Sequence, residues 1–102
     1  MNALTCDQFA DHYKENQQDK VLLDVRSPQE ISDTGTLPDA TTIPIDQIEA
    51  QFSSLNKNAS VYVFCAAGLR AERVAGFLQE EGFQSVFYAI PGGFLDLKRF
   101  FF

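Results

Sequence analysis

A chain of 102 residues with 45% hydrophobic content and ten phenylalanines is the size of one domain, near the lower limit for a core held without staples. Fourteen acidic against eight basic residues leave a net charge of −6, which argues against nucleic acid or an anionic membrane as main partner and is compatible with a basic substrate protein. Cys6, Cys65 and one histidine supply neither a disulfide framework nor metal-ligand spacing, so no metal or cofactor is expected. The N-terminus lacks a basic or apolar leader pattern and no stretch is long enough to span a bilayer. With free cysteines, this predicts a soluble protein in a reducing, cytoplasmic setting.

A short strand fits Ala3 to Thr5. Thr5 and Gln8 form a capping box that opens a helix carrying Phe9, Ala10 and Tyr13, which fades from Glu15 to Lys20. Val21 to Val25 reads as a strand. Ser27, Pro28 and Glu30 start a brief second helix, which Asp33-Thr34-Gly35 ends. Pro38-Asp39 marks a turn and Ala40 to Ile43 a short strand. Asp46 and Glu49 suggest a third cap, with Ile48, Phe52 and Leu55 on one helix face. The apolar run Val61 to Phe64 is a buried strand; Ala71, Val74, Ala75 and Leu78 recur at helical spacing, and Gly82 suits a left-handed C-cap. Ser85 to Ile90 is another strand, and Pro91-Gly92-Gly93 turns the chain into a last helix, Phe94 to Phe102. Alternating strands and helices predict one α/β domain over residues 1–102: a three-layer α/β/α arrangement around a mainly parallel sheet of four to five strands.

Between strand and helix lies C-A-A-G-L-R, Cys65 to Arg70. A strand delivers the thiol to the carboxyl edge of the sheet, where open α/β folds bind ligands. The following helix aims its free N–H groups and dipole at the sulfur, favouring thiolate. Small residues at Ala66, Ala67 and Gly68 let the backbone curl into an anion nest, and Gly68 supplies a conformation that a β-carbon resists. Arg70 brings charge to the helix start, either toward an anionic donor or toward the loop carbonyls. The plainer alternatives are a buried structural cysteine and a helix-surface arginine. Asp24, Arg26 and Glu30 read as a structural cap and ion-pair cluster bordering the site. Cys6 lies in a first helical turn, where its thiol could be acidified, and reads as incidental; His12 has no partner visible in sequence and reads as a helix-surface residue.

Leu22-Leu23-Asp24-Val25-Arg26 with Pro28 and Glu30, then Gly35 to Ala40, Ile43-Pro44, the Cys65 loop and Gly92-Gly93 resemble, in order, the landmarks of a single-domain rhodanese. The resemblance implies a rhodanese-like fold and a sulfurtransferase that moves sulfane sulfur from thiosulfate or a persulfide to a thiol or cyanide acceptor, or to a protein. Cys65 would be the nucleophile and persulfide carrier; Ala66, Ala67, Gly68, Leu69 and Arg70 would bind the transferred sulfur or its donor. Two other classes compete. A catalytically silent partner-binding module would share the fold. A Cdc25-like phosphatase or arsenate reductase would need a C-x5-R loop sized for a tetrahedral anion, whereas four residues separate Cys65 from Arg70.

The chain departs from the family pattern in places. Ala66, Ala67 and Ala71 stand where basic or hydroxyl residues are common, which weakens the expected hold on doubly charged thiosulfate. Thr36 replaces a common histidine and Asp39 a common glycine, and Leu95 or Leu97 must take over the packing of the tryptophan usual after the double glycine. The apolar end, Leu95, Leu97 and Phe100 to Phe102, reads either as packing against the sheet or as a homodimer or partner interface.

Overall fold

The computed structural model describes residues Met1 to Phe102, and its local structure begins from caps. The Thr5 hydroxyl accepts the Gln8 N–H while the Gln8 side chain accepts the Thr5 N–H, opening α1, Cys6–Glu15. Ser27 and Glu30 repeat this reciprocal bond at the start of α2, Pro28–Thr34. Gly35 closes α2 with φ of 76°. Each box satisfies two helix N–H groups that have no carbonyl partner within the helix.

Five strands form one sheet: β1 Asn2–Leu4, β2 Lys20–Asp24, β3 Ala40–Thr42, β4 Ser60–Phe64 and β5 Val86–Ala89. Their order is β1-β5-β4-β2-β3 and every pairing is parallel. The first strand lies one residue earlier than its sequence pattern suggested. β4 is central and buried on both faces, so it is continuously apolar from Val61 to Phe64.

Alternation along the strands divides the interior into two cores. Leu23, Val61 and Val63 face α3, Ile48–Gln51, and α4, Leu69–Glu80, whose Val74, Ala75 and Leu78 complete that layer. Leu22, Tyr62 and Phe64 point the other way, to Phe9 of α1 and to Phe94 and Leu97 of α5, Phe94–Phe101. The architecture is the expected α/β/α. Of the two leucines expected to take over the packing of the absent tryptophan, Leu97 is fully buried and Leu95 is 69% exposed. Tyr62, fully buried, bonds its hydroxyl to His12 Nδ1 at 2.6 Å and accepts from Asn16 Nδ2 at 3.0 Å, so the surface-lying His12 has a partner after all.

The third helix differs from its expected form. Ile45–Gln47 and Phe52–Ser54 are 3-10 turns flanking the four-residue α3, and neither Asp46 nor any other side chain caps them. Pro44 precedes the segment and its carbonyl accepts the Gln47 N–H at 2.8 Å, while Ile48 donates its N–H to Ile45 O, so backbone satisfies a donor that an Asp46 cap would have reached. The apolar face survives: Ile48 and Leu55 are buried and Phe52 packs edge-on against Phe77. No helix is long and apolar enough to cross a membrane.

Candidate active site

β2 and β4 are neighbours, with Asp24 beside Phe64 at their carboxyl ends. The chain leaves these ends in opposite directions across the sheet, toward β3 and toward β5, so a crevice opens between the two following loops. One loop carries Asp24, Arg26 and Glu30; the other carries Cys65 to Arg70.

Cys65 is 1% exposed, and its Sγ accepts two backbone N–H groups, from Gly68 at 3.1 Å and from Ala71 at 3.4 Å. Ala71 is the third residue of α4, whose first N–H groups lack intrahelical acceptors. By sequence Ala71 stood out only for its helical spacing and as a departure from the family pattern; its place in the first turn of α4 was the signal that could have marked its N–H as a donor to the thiol. Gly68 sits at φ of 112°, and a β-carbon there would come within 2.7 Å of Ile90 Cγ1. Both conformation and space therefore demand glycine. Ala66, Ala67 and Leu69 are solvent-exposed and add no polar side chain to the loop.

A second loop clamps the first. Phe94 donates its N–H to Cys65 O at 2.8 Å and Gly92 donates to Ala67 O at 3.2 Å. A β-carbon on Gly93 would collide with Cys65 O and lie 2.6 Å from Ala66 O. The double glycine thus lets the start of α5 approach the nucleophile loop backbone to backbone. Beside it Cys6 donates to Pro91 O at 3.5 Å. Burial, with Asp96 and Asp7 nearby, pushes the Cys6 thiol up to about 11, which overturns the idea that its helical position acidifies it.

Neither arginine near the thiol is free. Arg70 forks onto Glu30, with Nη1 to Oε1 at 2.6 Å and Nη2 to Oε2 at 2.9 Å, so it points to the neighbouring loop. Glu30 serves at once as α2 cap and as arginine acceptor. Arg26, 3% exposed, is bound to fully buried Asp24 through Nε and Nη2, while Thr34 Oγ1 and Gly35 O accept its remaining donors. Its guanidinium lies 4.1 Å from the Phe94 ring centre. Thr36 donates to Asp24 Oδ2 at 2.7 Å, so the residue replacing the usual histidine joins this hub. Asp39 adopts φ of 66°, a left-handed conformation that aspartate tolerates where glycine is common. No group of three His, Cys, Asp or Glu side chains could hold a metal ion.

The Arg70 fork holds the Glu30 carboxyl down at about 2. A carboxylate lowered on folding stabilises the protein fully above the ordinary carboxylate range and loses that contribution as pH falls toward 2. The melting-temperature difference between wild type and Glu30→Gln should therefore be constant above about pH 5 and shrink on acidification. An equal difference at pH 6 and near pH 2, in melts followed by circular dichroism, would contradict the pairing.

A cleft of about 230 Å³ opens beside the thiol loop, bordered by Arg26, Glu30, Asp33, Ala66, Phe94 and Leu95. Comparison with known proteins bears on the family and the fold. The family model described as the Rhodanese-like domain matches residues 5–99. YrkF of Bacillus subtilis, by its name a proposed sulfur carrier protein, is 32% identical over 71 residues, covering 70% of this chain and 38% of YrkF. A tRNA sulfurtransferase of Vibrio vulnificus is 35% identical over 69 residues, 65% of this chain and 14% of that protein. The chain thus spans well under half the length of these relatives. Among solved structures, a rhodanese-like domain protein of Staphylococcus aureus superposes with a TM-score of 0.76 at 32% identity, covering 91% of this chain and 87% of the other.

Proposed function

The chain belongs to the rhodanese-like domain family, and from that membership we propose that it is a sulfurtransferase carrying sulfane sulfur on Cys65. The supporting observation is the buried Cys65 Sγ facing the Gly68 and Ala71 N–H groups. In the first step the Cys65 thiolate attacks the outer sulfur of a donor. An S–S bond forms, the donor's bond to that sulfur breaks, and its electron pair leaves with sulfite or a thiolate. In the second step a thiolate or cyanide attacks the outer sulfur, and the electron pair of the broken S–S bond returns to Sγ. Backbone N–H groups aimed at the sulfur stabilise the anion in both states.

The donor is a low-molecular-weight or protein persulfide more than thiosulfate. A doubly charged donor calls for free cations at the thiol loop itself, and there Arg26 and Arg70 are both committed to carboxylates while Ala66, Ala67 and Leu69 offer none. The same commitment speaks against phosphatase chemistry, in which the loop arginine must turn to a phosphate. A reducing, cytoplasmic setting suits two free cysteines.

Intact-mass and peptide mass spectrometry after incubation with glutathione persulfide or thiosulfate provides the test. Cys65 should gain one sulfur, about 32 Da, cyanide should remove it as thiocyanate, and Cys65→Ser should do neither. Wild-type protein that stays unmodified with both donors would defeat the proposal and favour a silent binding module.

A further inference from the structure

The helix α5 is apolar on two sides. Phe94, Leu97 and Phe101 turn inward against Phe9, Tyr62 and Tyr13. Leu95, Lys98, Arg99 and Phe102, spaced i, i+3, i+4 and i+7, share the outward face. Leu95 is 69% and Phe102 78% exposed, among the few large apolar side chains so uncovered. This face borders a groove of about 430 Å³, lined also by Thr34 and Phe94. Thr34, Phe94 and Leu95 line the smaller cleft as well, so the groove runs on to Ala66, the residue next to the nucleophile.

Charge along this path is uneven. The ion pairs of the molecule are Asp24 with Arg26 and Glu30 with Arg70. Lys98 and Arg99 form no salt bridge and rest over the Phe94 and Phe100 rings, although Arg99 also attracts the exposed Asp7 carboxylate. A chain of net charge −6 therefore presents two uncommitted cations between two exposed apolar groups, beside the route to Cys65.

We propose that this outward face of α5 and its groove seat an acidic, apolar-bearing segment of the protein that exchanges sulfur with Cys65. The inference rests on the sulfurtransferase reading and differs, at this surface, from the basic partner with which the net charge is compatible. A second copy fits poorly: an isologous contact centred here would set Lys98 and Arg99 against their own counterparts. Leu95 to Arg99 spans about 6 Å of helix and Leu95 to Phe102 about 10 Å. Extended chain covers that in about three residues, so a short segment can reach both cations and both apolar groups. Transfer then follows the second step above: the partner thiolate takes the outer sulfur, the Cys65 S–S bond breaks, and the electron pair returns to Sγ.

The probes are the end-blocked peptide Cys-Leu-Leu-Glu-Glu and its counterpart with lysine for both glutamates. Each is offered to the full chain loaded with sulfur on Cys65, with cyanide as an acceptor that needs no groove. Binding is measured separately by fluorescence anisotropy, with serine in place of the peptide cysteine. The acidic peptide should bind and react about tenfold better at low salt. Lys98→Glu with Arg99→Glu should invert that preference and leave the cyanide rate unchanged, and Leu95→Ser should weaken both peptides alike. Equal binding of the two peptides, or a preference untouched by charge reversal, would overturn the proposal. So would a dimer in sedimentation that Leu95→Ser dissociates, since the face would then belong to a second copy. Charge-dependent binding without any sulfur uptake on Cys65 would uphold the docking face and remove the sulfurtransferase reading beneath it.

Discussion

Gly93→Ala should slow sulfur loading of Cys65 by roughly 100-fold, the penalty typical of misplacing a reacting group by about 1 Å. The new methyl group would occupy the space of Cys65 O and crowd Ala66 O, both backbone atoms that cannot swing aside. Relief requires separating the start of α5 from the nucleophile loop, which breaks the Phe94 N–H bond to Cys65 O. The same shift disturbs the loop that aims the Gly68 N–H at Sγ. Stability should fall too, by about 3 kcal/mol, the upper end of ordinary overpacking. Gly35→Ala is the control: its φ of 76° and ψ of −172° are nearly confined to glycine but its β-carbon meets open space, so it should cost about 1–3 kcal/mol and leave loading intact. Persulfide formation followed by mass spectrometry, beside thermal melts, checks both. Equal loading rates for the two variants would show that the close approach of Gly93 has no bearing on the thiol.

Asp24→Ala should cost about 3–5 kcal/mol, because it strands the charge of Arg26 in the interior. For a chain near 100 residues this lowers the melting temperature by on the order of 20 °C. Replacing both partners by apolar residues of similar size, Asp24→Leu with Arg26→Met, should recover most of the loss, since no buried charge is then left alone. The Thr36 hydroxyl loses its acceptor in either case, so recovery stays incomplete. Thermal and urea unfolding of the single and double variants measure the difference. A single variant as stable as wild type would mean that water reaches Arg26 despite its 3% exposure.

Much of the fold was legible because its signals are local. The boxes at Thr5 and Ser27, the ends of helices at Gly35 and Gly82, and the alternation of strands and helices each depend on a few consecutive residues. The α3 region failed the same reasoning because Pro44, two residues before Asp46, starts a 3-10 turn in which backbone bonds replace the side-chain cap. At the site, the placement of Cys65 and the need for glycine at position 68 could be read from a strand, a short loop and a helix. The Asp24–Arg26 pair, two residues apart, was legible as part of an ion-pair cluster, but the partner of Arg70 was not: Arg70 and Glu30 are 40 residues apart, and only the adjacency of β2 and β4 makes them meet.

From sequence alone came an α/β chain that sets a thiol on a strand-to-helix loop with four residues between Cys65 and Arg70 and few side-chain donors. Periodicity, capping and loop length determine that much, since each acts through neighbours along the chain. Tertiary structure decided that Ala71 completes the N–H pair on Sγ, that Arg70 is bound by Glu30, and that Gly93 locks α5 to Cys65 O. It also set two uncommitted cations beside the groove that leads to the thiol loop. These features depend on which strand ends and helix faces become neighbours, a result of burying both cores at once that no short stretch of sequence contains.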